Sequence, residues 1–198
     1  MKKTEREIRG KFRDRKEMYE LLARIGAITQ NSSKRKRLSV LFTSGNSKGI
    51  DLQVRLHNLE GEIILKKGRH ESNLREETVI KITHDQFIPS IFFIYNLGFK
   101  KAVVADCLDW VFTLNNEEIK FTECDNKIFC WEIETQNKKT PVVNLNKLAK
   151  TLGLVALNEA ELTKYWAWMK HYGNKKFDIK TIDKIVNKYI KDFNERKT

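Results

Sequence analysis

The chain has 198 residues, of which 40% are hydrophobic and 32% are charged, a composition that excludes a disordered chain and allows one domain with a core plus an appendage. Its formal net charge of +12 predicts an anionic partner, whether a nucleotide, a polyphosphate, a nucleic acid or an acidic lipid. No apolar run reaches the roughly 18 residues of a membrane span. Charged residues, in place of an apolar signal core, follow Met1, so we expect a cytoplasmic protein with no membrane partner.

The first predicted strand, over residues 4–13, carries charges of both signs along one face. Side chains alternate between the two faces of an extended chain. One face therefore holds the charged residues Glu5, Glu7, Arg9, Lys11 and Arg13. The other face is largely apolar, because it holds Ile8 and Phe12. A charged face of this kind is typical of a strand that lines a wet cavity or faces solvent.

A helix and four strands are predicted next. Apolar residues at helical spacing predict a helix over 16–25 that ends at Gly26. The basic run Lys34-Arg35-Lys36-Arg37 is interpreted as part of a solvated loop over 30–37, with contact to nucleic acid or a place at a tunnel mouth as alternatives. Strands follow over 38–43, 51–57, 62–69 and 74–82. The strictly alternating strand 51–57 has Arg55 and His57 on its polar face.

The second half of the chain begins with a helix over 89–97, between Pro89 and Gly98. Strands are predicted over 101–105, 109–114, 118–123 and 128–135, followed by helices over 144–152, 158–171 and 178–194. Glu132 and Glu134 share one face of the last strand. The aromatic run Tyr165-Trp166-Ala167-Trp168 is interpreted as core packing, with base stacking as the alternative.

Three cysteines, Cys107, Cys124 and Cys130, occur in the chain. Their odd number and their spacing indicate neither a disulfide framework nor a zinc site. We therefore expect three buried or half-buried free thiols.

About eight strands with charge on one face predict an α+β protein built on a closed antiparallel eight-stranded barrel with a polar lumen. Helices at fixed insertions flank the barrel, and a helical extension follows it at the C-terminus. We predict a tunnel domain over residues 1–172 and a C-terminal amphipathic helix over 173–198, packed on the barrel or flanking it.

The order of motifs resembles that of the CYTH superfamily, the triphosphate tunnel metalloenzymes. The family's Glu-x-Glu-x-Lys strand is matched in either of two registers, Glu5-Arg6-Glu7-Ile8-Arg9 or Glu7-Ile8-Arg9-Gly10-Lys11. Further matches follow in the family's order, at Leu52-Gln53-Val54-Arg55, Leu65-Lys66-Lys67-Gly68, Arg75-Glu76-Glu77, Leu97-Gly98-Phe99 and Glu132-Ile133-Glu134. The family's Lys-x-Arg pair after the central helix is missing, since residues 104–109 contain no base.

The resemblance implies roles for these residues. Carboxylates bind hard cations, so a Mg²⁺ or Mn²⁺ site is expected at Glu5, Glu7, Glu77, Glu132 and Glu134. Guanidinium and ammonium groups bind phosphate, so phosphate contacts are expected at Arg9, Lys11, Arg55, Lys67 and Arg75. The residues expected to be catalytic are Glu7, Lys11 and Glu134.

The function that follows from the resemblance is a metal-dependent phosphohydrolase. Its substrate would carry a triphosphate, as a nucleoside triphosphate, inorganic triphosphate or thiamine triphosphate does. One alternative, favoured by the missing Lys-x-Arg pair, is a tunnel without this catalytic activity that binds a nucleotide, a polyphosphate or RNA. A class IV-type adenylate cyclase is the second alternative. Nucleic acid is not the favoured partner, and the oligomeric state, including a dimer, is left open.

Overall fold

The computed structural model describes residues 2–29, 32–43, 49–68, 73–125, 127–135, 141–172 and 178–195. Within these ranges the strands are β1 (Lys2–Lys11), β2 (Ser32–Phe42), β3 (Ile50–His57), β4 (Glu60–Lys67), β5 (Leu74–Thr83), β6 (Ala102–Leu114), β7 (Glu117–Cys124) and β8 (Ile128–Thr135). The helices are α1 (Arg15–Ile28), α2 (Phe87–Asn96), α3 (Val142–Thr151), α4 (Glu159–Tyr172) and α5 (Ile182–Glu195). None of the described helices combines the length and the apolar character needed to cross a membrane.

The strands form one strongly curled antiparallel sheet, paired in the order β1-β5-β4-β3-β2-β6-β7-β8. β1, which stands first in this order, pairs with β5 beside it and also with β8 at the opposite end. Its residues 2–6 pair with 74–78 of β5, and its residues 6–11 pair with 130–135 of β8. β1 therefore pairs with each of its two neighbours over only part of its length. By contrast, β2 and β6 pair continuously, residues 32–42 with residues 102–112. The predicted α+β class and the antiparallel eight-stranded sheet are confirmed.

Apolar side chains cover the outer face of the sheet and pack under the helices. One core, beneath α1 and α3, includes Ile8, Met18, Phe121, Trp131 and Leu145. A second core, beneath α2 and α5, includes Leu38, Val54, Phe87, Ile91 and Val186. Successive strand residues point to opposite faces. Because the apolar side chains point outward, the alternating polar side chains of the same strands point into the interior of the curled sheet.

The C-terminal helix α5 packs on the outside of the sheet. The Tyr189 hydroxyl lies 2.8 Å from the Lys36 carbonyl oxygen and 3.2 Å from that of Leu56, so it caps the backbone of β2 and β3. The Lys36 ammonium lies 4.7 Å from the centre of the Tyr189 ring and 3.4 Å from Asp192 of the same helix. An outward-pointing lysine of β2 is therefore buried by α5.

Two stretches that were predicted to lie outside strands belong to strands. Residues 32–37 were expected to lie in a basic loop, and they belong to β2. The segments 101–105 and 109–114 were expected to be two strands, and they form the single strand β6. The reason is the same for both, because Arg37 pairs with Cys107 and Lys36 pairs with Leu108. Each strand therefore keeps the other in an extended conformation, although the local sequence of these stretches lacks the alternation that is typical of a strand.

The expectation of three free thiols is wrong for two of the cysteines. Cys107 of β6 lies directly opposite Cys124 of β7, and the two form a disulfide. Cys130 is a free thiol, and burial raises its pKa to about 11. The linear spacing of cysteines does not reveal which two become cross-strand neighbours, because that depends on the register of the sheet.

Gly10 permits the close approach of β1 to Trp131 on β8. A Cβ atom at residue 10 would overlap the Trp131 indole ring. We expect Gly10→Ala to lower the free energy of unfolding by about 1–3 kcal/mol, because overpacking displaces a buried ring. Urea denaturation followed by circular dichroism measures this change.

Gly26→Ala is the matched control, because Gly26 lies within α1 and has open space around its Cβ position. Replacing a glycine inside a helix by alanine is expected to stabilise the protein by about 0.5–1 kcal/mol. Equal effects of the two substitutions would contradict the role assigned to Gly10.

Candidate functional site

Basic side chains from six different strands line one cavity inside the curled sheet. They are Arg9 of β1, Arg37 of β2, Arg55 of β3, Lys66 of β4, Arg75 of β5 and Lys120 of β7. We call this cavity, of about 90 Å³, the lumen. Arg9, Lys66 and Arg75 are only 7%, 5% and 3% exposed. The fold therefore holds several positive charges in a confined space that water reaches poorly.

Acidic and amide side chains in the lumen wall hold several of these bases in place. Arg75 donates hydrogen bonds to Glu7 at 2.6 Å and to Asp51 at 3.2 Å. Glu7 also forms an ion pair with Arg9. Two further contacts are Lys66 Nζ to Glu77 Oε2 at 3.3 Å and Arg55 Nε to Gln53 Oε1 at 2.8 Å. These contacts fix where the cationic groups lie.

The pair Arg37 and Asp109 joins β2 to β6. The guanidinium donates two hydrogen bonds, from Nε at 2.7 Å and from Nη2 at 3.1 Å, and Thr122 Oγ1 donates a third to the same carboxylate at 2.8 Å. Burial disfavours both charges, but each partner outweighs that penalty for the other. The pKa of Arg37 is consequently raised, and the pKa of Asp109 lies well below its usual range.

Cross-strand register orders the charges of β1, β8 and β7 into two rows. The acidic row consists of Glu7, Glu134 and Glu118, and the mixed row consists of Arg9, Glu132 and Lys120. In the mixed row Glu132 forms an ion pair with Lys120. Burial disfavours the Glu132 carboxylate, yet Lys120 and Arg9 hold its pKa well below the usual range. A row of three carboxylates thus lies next to a row in which positive and negative side chains alternate, and the three side chains of the mixed row line the lumen.

Most of the site residues predicted from the sequence are brought together by the fold. Arg9, Arg55, Arg75 and Glu132 line the lumen. Glu7 and Glu77 are buried against lumen bases, at 3% and 5% exposure. Glu134 lines a cavity of about 720 Å³ that shares Arg55, Lys66 and Lys120 with the lumen and so adjoins one end of it.

Two predicted residues lie outside the lumen. Lys67 is exposed, and its neighbour Lys66 occupies the lumen instead, which corrects the choice of lysine by one position. The run Ile63-Ile64-Leu65 interrupts the polar alternation of β4, so the sequence does not show which lysine faces inward. Lys11 lines a separate cavity beyond the other end of the lumen. The side chain of Glu5 lies outside the described part of the structure.

Besides Lys66, the sequence analysis missed several lumen residues, and two of these, Arg37 and Lys120, are bases. A signal for Arg37 was present, because the outward alternation of Leu38, Val40 and Phe42 places residue 37 on the inward face. Arg37 lies opposite Cys107 in the stretch of β6 that lacks bases. A neighbouring strand therefore places a base beside this stretch of β6.

The described carboxylates do not form a metal-binding set. Divalent Mg²⁺ requires oxygen ligands about 2.0–2.1 Å away in near-octahedral geometry. In the described ranges no three acidic, histidine or cysteine side chains converge in a way that could hold an ion. Glu7, Glu77 and Glu132 instead contact Arg75, Lys66 and Lys120.

Solved structures with the same fold include proteins from archaea and bacteria. The PH1012 protein of Pyrococcus horikoshii has a TM-score of 0.62 and 19% identity over 79% of this chain and 98% of its own. A candidate adenylate cyclase from Vibrio parahaemolyticus has a TM-score of 0.55 and 13% identity, covering 80% of this chain and 92% of that one. A candidate adenylate cyclase from Bacillus halodurans has a TM-score of 0.55 and 9% identity, with coverages of 79% and 93%.

No family model and no curated protein matches this chain. At the identities found, the structural likeness shows the fold. The chain shares its fold with these proteins, and the resemblance to the CYTH superfamily predicted from the motifs is confirmed at the level of the fold.

Asp109→Asn tests the buried pair between β2 and β6. The substitution leaves the buried Arg37 without a charged partner, so at pH 7 we expect the free energy of unfolding to fall by about 3 kcal/mol. Asp109 has a lower pKa in the folded than in the unfolded chain. Its stabilisation is therefore complete above the unfolded pKa of about 3.9 and is lost as the pH falls further below that value.

Urea denaturation at pH 7, 5 and 3 measures the difference between the native protein and Asp109→Asn, which should begin to narrow below about pH 4. The exposed Glu20→Gln on α1 serves as the control and should change stability by no more than about 0.5 kcal/mol. A difference for Asp109→Asn that stays constant across the three pH values would contradict the assignment.

Proposed function

We propose that the lumen binds the triphosphate group of a small molecule. The observation that carries this proposal is the convergence of six basic side chains, each from a different strand, on one cavity. Guanidinium groups donate paired hydrogen bonds to phosphate oxygens, and ammonium groups act as point charges. A chain of linked phosphates carries enough oxygens, spread over enough length, to contact bases on several walls at once.

Such a ligand would bind by replacing the carboxylates that now pair with the lumen bases. Arg75 and Lys66 already point into the cavity because Glu7 and Glu77 hold them there. Phosphate oxygens would replace these carboxylates at the same donors, and the parting of the pairs would enlarge a cavity of about 90 Å³. Two structural neighbours are described as candidate adenylate cyclases, and a triphosphate ligand is compatible with that description.

Hydrolysis of the terminal phosphate is the reaction we propose. Water bonds to the terminal phosphorus while the bridging P–O bond breaks, which yields orthophosphate and a diphosphate product. The bases of the lumen stabilise the negative charge on the leaving oxygen. Glu134, half-buried in the acidic row beside Glu7, is the proposed acceptor of the proton from water. The resemblance implies that hydrolysis depends on Mg²⁺ or Mn²⁺, whereas the described carboxylates do not form a set that could hold such an ion.

Binding without turnover is the second candidate function. It is supported by the engagement of the described carboxylates Glu7, Glu77 and Glu132 by bases. In this case the lumen would retain a nucleotide or a polyphosphate, and the acids would serve only to position the cations.

Lys66→Gln and Lys67→Gln form a matched pair for the binding proposal. Lys66 lines the lumen, whereas the adjacent Lys67 is exposed outside it. Loss of a charge-assisted contact of about 1.5–3 kcal/mol predicts a tenfold or greater loss of tripolyphosphate affinity for Lys66→Gln alone. Isothermal titration calorimetry measures the affinity, and circular dichroism checks the fold. Equal affinities of the two variants, or no binding by the native protein, would overturn the proposal.

Glu134→Gln tests hydrolysis. We expect phosphate release from tripolyphosphate, ATP or thiamine triphosphate to fall by about 100-fold or more, because a general base typically contributes at least that factor. Release is measured with Mg²⁺, with Mn²⁺ and with EDTA, and Glu20→Gln is the control. Binding by the native protein without phosphate release under all three conditions would overturn hydrolysis and leave the second candidate.

A further inference from the structure

A large cavity lies beyond the end of the lumen that Lys11 approaches. It has a volume of about 770 Å³, and we call it the side pocket. It lies where β1 ends, β8 begins and α4 passes over both, and its lining residues include Phe12, Ile128, Phe129, Leu157 and Tyr165. Ile128 and Tyr165 also line the lumen. The two cavities therefore share part of their walls.

The side pocket combines an apolar floor with a cationic rim. The rim carries Lys11, Arg13, Lys127 and Lys164. Its two acidic residues are engaged in helix caps, because Asp14 accepts a hydrogen bond from the Glu17 amide at 2.9 Å and Glu161 accepts one from the Asn158 amide at 2.9 Å. The pocket thus favours an apolar group that is attached to negative charge.

β1 connects the two cavities. Arg9 lines the lumen and Lys11 lines the side pocket. Residues two apart on a strand point to the same side and are separated by about 6.5–7 Å. One extended ligand can therefore place phosphates beside Arg9 and its neighbours while the rest of the molecule passes Lys11 into the larger space.

We propose that the side pocket receives the aromatic organic group of a triphosphate ester and so selects such an ester over inorganic triphosphate. This inference rests on the proposed binding of a triphosphate in the lumen. Tyr165 and the half-buried Phe129 supply aromatic surface for stacking, an interaction that tolerates different ring systems because each ring has a π face.

Calorimetric titration of the full chain with ATP, thiamine triphosphate and tripolyphosphate tests this selection. The native protein should bind at least one of the two esters about tenfold more tightly than tripolyphosphate, as one stacked aromatic ring allows. Leu157→Trp fills the side pocket, and Lys164→Glu reverses a charge at its rim. Each variant should lower the ratio of ester affinity to tripolyphosphate affinity.

Lys147→Glu is the matched control for Lys164→Glu, because Lys147 is an exposed lysine of α3 that does not line the side pocket. The exposed Lys164 site also keeps the test valid if Leu157→Trp fails to fold. If tripolyphosphate binds but neither ester binds more tightly, the inference is overturned and the proposed function stands. If none of the three ligands binds, both are overturned. A native ratio unchanged in both pocket variants would also overturn the inference.

Discussion

The structure depends on the mutual pairing of charges that the sheet buries in its interior. Arg75 joins β5 to Glu7 of β1 and to Asp51 of β3, and Arg37 joins β2 to Asp109 of β6. A buried charge without a partner costs several kcal/mol, so these pairs constrain which strands can be neighbours and in which register. The lumen is consequently an ordered set of cations and anions.

Most of the stability comes from the apolar cores and not from these ion pairs. A buried ion pair contributes little net stability compared with apolar side chains of the same volume. The apolar cores between the sheet and its helices, around Met18 on one side and Phe87 on the other, are almost completely buried and provide the hydrophobic term. The ion pairs of the lumen therefore constrain the register of the strands, while the apolar cores supply most of the stabilisation.

Positive charge in the lumen comes from several strands. β6 has no inward base in the stretch that contains Cys107, and this part of its wall includes a disulfide. Arg37, directly opposite on β2, and Lys120 on β7 place cations next to that stretch. Counting the bases of β6 alone therefore underestimates how many bases line the cavity, because several strands contribute to its wall.

The sequence by itself determined the local pattern. Alternation on β1 puts Glu7, Arg9 and Lys11 on one face in either reading of the first motif, and helical spacing revealed the helices that cover the sheet. The tertiary structure alone decided that Lys66 faces the lumen in place of Lys67, that Cys107 meets Cys124, and that Arg37 meets a partner 72 residues away. The physical reason is that pairing between distant strands sets the register, and local periodicity carries no information about which residues then become neighbours.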